Sequence, residues 1–388
     1  MNEKKKIKVL HVVSGMVHGG IETFLMSMLR TYDRRRFHMD ILCIKSAEGP
    51  YTEQARRLGA KVLQCRMKYD QVRFIYKLYK ILRKEKYDSI NSHFSDFGGS
   101  VLLAALLAKV PVRVASYHQA RPDMGFIKNV YLRIMRWFVV KTATSITTSS
   151  RAVSESFFAG NSTAYAMIQS ISYGVDTEFF AKKPDNTLDL SRFGFSSDNL
   201  IVGHVGTYKP QKNHEALIKI AALTINEVPN VRFLLCGRAV SSSQESITGL
   251  YDRIGEQIND LGLSKYFARV QDFDDIREFY HAIDIFVLPS RTEGMPVSII
   301  EAQASGKPVV ASRIGGIVVA TAPEMRNNLF EVNDVESFAQ CLTGLLKDTE
   351  KMRNSGLAGQ VFVRKNLDIR IAVRKYEELY ASQDNLSN

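Results

Sequence analysis

The sequence predicts an α/β protein built from two doubly wound parallel-sheet domains. Two observations carry that expectation. Short β-rich runs alternate with helical stretches, and the whole pattern occurs twice along 388 residues. Between the two series lies a polar stretch from about Gly174 to Asn199, broken by Gly174, Pro184 and Gly194. A hydrophobic content of 45% lets each half bury its own core.

In the first half the strand-like runs are 7–13, 39–44, 61–64, 89–91, 112–116 and 145–147. Helical patterns fill the gaps, for example 21–31, 73–86 and 101–108. In the second half the runs are 201–205, 232–236, 268–271, 283–288 and 308–311. The expected organisation is a first Rossmann-like domain over 1–180, a linker over 181–199 and a second such domain over 200–365. A terminal helix within 366–388, with apolar positions Ile369, Ile371, Val373, Tyr376, Leu379 and Tyr380, is expected to pack back toward the first domain. The two domains are expected to face each other across a cleft, with ligands at the carboxyl ends of the strands.

Four cysteines without paired spacing argue against a disulfide framework or a zinc site, and point to a reducing compartment. No apolar stretch is long enough to span a bilayer, and the charged start (Met1 to Lys8) reads into a strand rather than as a secretory signal. The net charge of +12 is uneven. Residues 1–180 hold 28 basic against 14 acidic residues, whereas 181–388 hold 24 against 26. All the excess positive charge therefore sits in the first half, which suggests an anionic partner there. No nucleic-acid motif accompanies it, so a membrane surface or a phosphorylated lipid ranks ahead of nucleic acid. Two basic helical stretches, 73–86 and 126–141, carry apolar stripes: Ile75, Leu78, Tyr79 and Leu82 in one, and Ile127, Val130, Tyr131, Ile134 and Phe138 in the other. Such stripes are expected to pack on the sheet; the surplus charge adds a membrane-surface reading.

The most informative segment is Glu293-Gly294-Met295-Pro296-Val297-Ser298-Ile299-Ile300-Glu301. If a helix starts after Pro296, Glu293 lies on the preceding loop and Glu301 inside the helix. The unpaired first-turn amides attract phosphate, and the carboxylates suit sugar and ribose hydroxyls. Pro296 itself has no N–H to offer. The pattern fits a ligand anionic in the middle and rich in hydroxyls at both ends.

Other candidates follow strand ends. Gly15, Gly19 and Gly20 lie after the first run, where they form either a ligand-approaching turn or a plain tight turn. Gly206, Thr207 and Lys212 follow the run 201–205; Lys212 reads either as a solvated lysine or as a cation over a diphosphate. His118 follows 112–116 and reads either as structural or as a partner of a sugar hydroxyl, and His93 sits similarly.

Taken together, these motifs resemble the large retaining glycosyltransferase family of GT-B fold that carries the E-x7-E segment (glycosyltransferase family 4-like, exopolysaccharide, capsule or O-antigen type). Gly19-Gly20-Ile21-Glu22, Pro210-Gln211-Lys212-Asn213 and Gly315-Gly316 agree with it, and the resemblance covers essentially the whole chain. It implies that Glu301 holds the donor ribose and Glu293 the donor sugar. The amides of Gly294, Met295 and Val297, in the segment that includes Pro296, would line the sugar and diphosphate. Lys212 would meet the diphosphate, Gly20 would close over the phosphates, and His118 would lie near the donor sugar. One position departs: the family has an arginine after Gly206, and here it is Thr207, with Lys209 or Arg238 as possible substitutes.

Residues and resemblance together point to a cytoplasmic, membrane-peripheral, retaining hexosyltransferase. It would use a UDP- or GDP-sugar and a lipid-linked or glycolipid acceptor, with no cofactor; no Asp-x-Asp motif is read in the chain, so no metal is expected. Thr207 keeps a second reading open, a non-catalytic GT-B subunit that binds a nucleotide sugar or a partner enzyme.

Overall fold

A computed structural model of the chain describes residues 5–17, 19–67, 70–119, 125–238 and 248–382. It divides into two compact units: Met1–Gly174 with Ile369–Asn388, and Val175–Asp368. Each unit is a parallel sheet flanked by helices, the arrangement the alternating pattern demands.

The first unit contains β1 (Ile7–Gly15), β2 (Phe37–Ser46), β3 (Val62–Gln64), β4 (Ser89–Ser92), β5 (Val112–Tyr117), β6 (Ser145–Thr148) and β7 (Ile168–Ser170). Their order is β3-β2-β1-β4-β5-β6-β7, and every recorded pairing is parallel. The second unit contains β8 (Leu200–Val205), β9 (Val231–Cys236), β10 (Phe267–Val270), β11 (Ile285–Leu288), β12 (Val309–Ser312) and β13 (Leu329–Phe330), in the order β10-β9-β8-β11-β12-β13, again parallel. Strand order reverses beside β1 in one sheet and beside β8 in the other. Those switch points are where open α/β sheets hold ligands.

The cores explain the apolar runs. Leu10, Val12, Ile90, Ala115 and Ile146 of the first sheet meet Phe74, Leu78, Leu82 and Leu102. Val202, Phe233, Ile285, Val287 and Val310 of the second meet Leu217, Ile220, Leu342 and Leu345. Strands covered by helices on both faces read as continuous apolar stretches rather than alternating ones.

The boundary differs from the expected one. The chain passes between units at Gly174 and Val175, so the segment 181–199 lies inside the second unit. Pairing explains this. Val175 bridges Asp368, its N–H donates to Leu367 O at 3.0 Å, and Thr177 Oγ1 donates to the Asp368 carboxylate. Phe180 is held in the same unit, its carbonyl 3.0 Å from His281 Nε2.

The last helix, Ile369–Tyr380, packs on the first unit. Tyr380 OH accepts from Asn91 Nδ2 at 2.8 Å, Tyr376 OH lies 3.3 Å from Thr147 Oγ1, and Glu377 Oε1 accepts from Asp33 N at 2.7 Å.

The helix Phe126–Thr142 corrects an expectation. Val130, Tyr131 and Ile134 were expected to face the sheet, yet they are 44%, 36% and 50% exposed, and Trp137 is 56% exposed. Leu132 and Val139 are buried instead, and Phe138 is half-buried. Arg136 sets this rotation. Its Nη2 and Nε lie 2.6 and 2.9 Å from the carboxylate of Asp96, which is 2% exposed. A buried carboxylate without a cation is costly, so the face carrying Leu132, Arg136 and Val139 turns inward. The Ile127 side chain lies outside what the structure describes, as do residues His18, 68–69, 120–124 and 239–247.

Candidate functional site

In the second unit β8 ends at Val205, and the chain turns through Gly206 before the helix His214–Glu227 begins. Gly206 N donates to Cys236 O at 2.9 Å. A side chain at Gly206 would stand 3.0 Å from His204 Nε2 and 3.1 Å from Lys212 Cδ, so the stem of Lys212 runs directly over this glycine. Lys212 closes the short turn Pro210–Lys212, and Asn213 takes a left-handed conformation (φ 56°) to redirect the chain into the helix. Asn tolerates that region better than most residues.

Lys212 Nζ lies 2.6 Å from Glu293 Oε1, with the two side chains only 14% and 9% exposed. Ser290 Oγ donates to the same oxygen at 2.8 Å. The two loops that carry these residues are joined twice more: Arg291 N donates to Gln211 O at 2.8 Å, and Asn213 Nδ2 to Pro289 O at 3.1 Å.

The segment after Glu293 folds as its sequence suggests. The helix is Val297–Ala304, with Pro296 as its N-cap and no capping side chain. Ile299 N reaches back to Pro296 O at 3.2 Å. The amides of Val297 and Ser298 are thus at a helix start with a positive dipole end and no side-chain cap. Gly294 and Met295 are buried beneath this turn. Gly316, in the helix Gly315–Ala320, packs so tightly that an added methyl would strike Gly294 O and stand 3.0 Å from Glu293 O.

Glu301 lies within the helix and is 8% exposed; Tyr280 OH donates to its Oε2 at 2.7 Å. Burial pushes its carboxyl up to about 7, against a smaller downward pull from the Tyr280 hydrogen bond.

Thr207 is half-buried, and its neighbour Tyr208 donates its N–H to Arg238 O at 3.2 Å. A methyl on Gly237 would strike Gly206 O, so the turns after β8 and β9 touch through their backbones. The Arg238 guanidinium itself goes to Asp272, both side chains being 42% exposed. Asp272 also opens an Asp-x-Asp triplet, Asp272-Phe273-Asp274, which corrects the reading that the chain carries none.

In the first unit Gly19 caps the helix Gly20–Thr31 in extended conformation, without a side-chain cap bond. Glu22 folds its carboxylate back over this start, 2.5 Å from where a Gly19 side chain would sit; its own carboxyl is pushed up by burial. His118 departs from its expected availability. Both of its ring nitrogens are engaged, Nε2 with His93 Nδ1 at 2.9 Å and Nδ1 with Tyr173 OH at 2.5 Å. His93 Nε2 in turn lies 3.0 Å from His11 Nδ1.

The predicted residues of the second unit thus fall into one neighbourhood around Gly206, Lys212 and Glu293. Arg238 adjoins it through backbone while its charge is turned to Asp272. Gly19, Gly20 and His118 belong to the first unit. Sequence reasoning missed Ser290, Tyr280, His11 and Tyr173. The only local signal for Ser290 was its position three residues before Glu293; the others are brought in by tertiary packing.

Comparison with known proteins agrees with the two-sheet fold. Residues 18–179 match the family Glycosyltransferase Family 4, and residues 186–360 match Glycosyl transferases group 1. The chain belongs to the glycosyltransferases of GT-B fold. It is 28% identical over 318 residues to a putative glycosyltransferase, EpsF, of Bacillus subtilis, covering 80% of each chain. It is 29% identical over 363 residues to the UDP-Gal:alpha-D-GlcNAc-diphosphoundecaprenol alpha-1,3-galactosyltransferase of Escherichia coli, covering 88% of this chain and 89% of the relative. In fold it is similar to Alr3699/HepE of Anabaena, solved in complex with UDP, with a TM-score of 0.81 at 21% identity over 97% of this chain and 100% of that one.

Proposed function

We propose that the chain is a retaining hexosyltransferase that moves a sugar from a UDP- or GDP-sugar to a hydroxyl of a glycolipid or lipid-linked saccharide in cell-surface polysaccharide synthesis. The observation that carries this reading is the Lys212–Glu293 contact, 2.6 Å long and bordered by the uncapped start of the helix Val297–Ala304. A cation and oriented amides stabilise a diphosphate leaving group, and a carboxylate beside them receives sugar hydroxyls. Glu301 is the partner for ribose hydroxyls.

In the reaction the bond from the anomeric carbon to the diphosphate oxygen breaks, and the acceptor oxygen bonds to that carbon on the same face. The acceptor proton passes to the departing diphosphate, so no dedicated protein base is required. Lys212 and the amides of Met295 and Val297 hold the developing charge, with no metal.

The relative from Escherichia coli is named for UDP-galactose and a diphosphoundecaprenol-linked acceptor, which makes that pair the first to test. A membrane-peripheral setting on the cytoplasmic face is part of this reading; the basic first half and Val130, Ile134 and Trp137, all exposed on one helix, support the membrane contact. No helix among the described residues is long and apolar enough to cross a membrane.

Thr207 favours one second reading, a GT-B subunit that binds nucleotide sugar without turnover. The test is incubation with UDP- and GDP-sugars, with and without polyprenyl-diphosphate acceptor and with and without EDTA. Acceptor-dependent nucleotide release that survives EDTA supports the transferase. Binding without release supports the silent subunit.

A further inference from the structure

Tyr280 lies on the short helix Arg277–Ala282 of the second unit and is completely buried. Its ring packs edge-on against Phe180 and Phe279, with centroids 5.9 and 5.3 Å away, and tilted against Phe286 at 6.0 Å. The hydroxyl of this fixed ring meets two acceptors in the segment 293–301. One is Glu301 Oε2 at 2.7 Å, and the other is Ser298 O at 3.3 Å. Ser298 belongs to the uncapped first turn of the helix Val297–Ala304, so one hydroxyl ties Glu301 to the turn that begins its own helix. Glu301 Oε1 has no hydrogen-bond partner among the described residues.

A phenol has one proton to give and lone pairs to receive. When Glu301 is ionised, the phenol proton goes to Oε2, because a hydrogen bond to a charged acceptor is the stronger of the two. When Glu301 carries a proton on Oε2, the carboxyl donates to the Tyr280 oxygen and the phenol proton turns to Ser298 O. Both states are hydrogen-bonded on the Oε2 side without movement of the ring, and the ionised one gains more. Glu301 has no ion-pair partner among the described residues. The titratable groups that act beside it are Tyr280 and the Cys236 thiol at the end of β9. Burial holds the phenol well above its usual range and pushes the thiol up to about 12, so both are neutral where Glu301 titrates.

We propose that Tyr280 is a positioning residue for the nucleotide end of the donor: it occupies Oε2 of Glu301, reserves the bare Oε1 as the acceptor for a ribose hydroxyl, and favours the ionised carboxylate that such binding needs. The ribose part of this inference rests on the transferase reading; the coupling of Tyr280 to Glu301 does not.

The experiment uses the full chain with 13C at the glutamate carboxyls and at tyrosine Cζ, the two signals being assigned with Glu301→Gln and Tyr280→Phe. In the unaltered protein the Glu301 carboxyl and Tyr280 Cζ should shift with one common midpoint near pH 7, because the phenol proton changes acceptor as the carboxylate gains its own. In Tyr280→Phe the Glu301 midpoint should rise, on the order of one pH unit, the scale of one hydrogen bond to a charged group. A Tyr280 signal that ignores the Glu301 titration, or an unmoved midpoint in Tyr280→Phe, overturns the proposal.

In parallel, calorimetry measures binding of UDP-galactose and GDP-mannose, whose phosphates hold no proton in the neutral range, from pH 6 to pH 9. Tyr280→Phe should weaken binding severalfold at pH 7 and approach the unaltered protein at pH 9, where Glu301 is ionised in both. In a Glu301→Gln background the same change should cost nothing further. A loss that is equal at every pH, or that persists beside Glu301→Gln, is a general packing defect and overturns the positioning role. If neither nucleotide sugar binds the unaltered protein at any pH, the transferase reading fails, while the spectra still decide the coupling.

Discussion

Lys212 Nζ stands 2.6 Å from Glu293 Oε1, and the two residues come from loops that follow adjacent strands of one sheet. Their neighbours are tied by two further hydrogen bonds, so the pair is held by loop geometry as well as by charge. Removing one member leaves the other nearly buried and unpaired. We expect Lys212→Ala to lower stability by about 3 kcal/mol, and Lys212→Ala/Glu293→Gln to recover part of that loss. Denaturant titration of the two variants checks it. In transfer, Lys212→Ala should lower kcat by about 10²–10³-fold, because a charge stabiliser is lost at the leaving group.

Glycine substitutions should separate folding from catalysis. At Gly316 and Gly237 an added methyl meets backbone oxygen, of Gly294 and Gly206 respectively, which cannot swing aside. At Gly206 the methyl meets the stem of Lys212 at 3.1 and 3.3 Å and His204 Nε2 at 3.0 Å. Side-chain stems give way more readily than backbone. Gly316→Ala and Gly237→Ala should therefore each lose about 2 kcal/mol or more of stability, as overpacking does, with Gly206→Ala below them. Gly206→Ala should instead displace Lys212 and show most of its cost in kcat. Thermal melts set against initial rates test this ordering, and a Gly206→Ala protein with unaltered kcat would contradict it.

The cation missing at Thr207 gives a third test. Arg238 lies one backbone contact away and is paired with Asp272 at a half-exposed site, where such a pair is weak enough to exchange. If Arg238 turns to the diphosphate when donor binds, Arg238→Ala should lower kcat/KM by roughly tenfold, and Thr207→Arg in that background should restore it. Full turnover by both Arg238→Ala and Lys209→Ala would exclude both as substitutes.

Glu301 makes the protein pH-sensitive in a defined window. Its carboxyl is raised from 4.5 to about 7 by burial. Below 4.5 it is protonated in both folded and unfolded chains. Between 4.5 and about 7 the folded chain holds the proton and the unfolded chain does not, so stability falls as pH rises through this range. Glu301→Gln should flatten that part of the stability profile relative to the unaltered protein. Donor affinity should run the other way. A carboxylate that accepts ribose hydroxyls must be ionised, so binding should strengthen as pH rises through about 7, and calorimetric titration at pH 6 and pH 8 would show it.

Much of the architecture is legible locally, because strands covered on both faces need apolar runs. The strands that escaped sequence reading are β7 (Ile168–Ser170) and β13 (Leu329–Phe330), both short and both at the edge of their sheet. In the candidate site, the segment 293–301 was readable because its turn, helix start and two carboxylates are contiguous. Glu293 and Lys212 are 81 residues apart, so their contact is a property of the sheet order rather than of either loop. Tyr173 and His11 were illegible for the same reason. The rotation of the helix Phe126–Thr142 depended on Arg136 meeting Asp96, 40 residues earlier, and hydrophobic spacing alone pointed the wrong way.

That rotation leads to the last prediction. It leaves Val130, Ile134 and Trp137 outward beside the exposed Lys128, Arg133 and Lys141. An interfacial helix uses apolar and aromatic side chains to enter the headgroup region and basic ones to stay against anionic lipid. Each basic residue near such a surface contributes about 1 kcal/mol at low salt. Trp137→Ala and Ile134→Ala remove exposed side chains, so their melting temperatures should stay near that of the unaltered protein while sedimentation with anionic vesicles weakens severalfold. Lys128→Ala/Arg133→Ala should weaken it at low salt and make little further difference at high salt, where screening has already removed the charge contribution. Equal sedimentation of all four proteins at low salt would remove this face as the membrane contact.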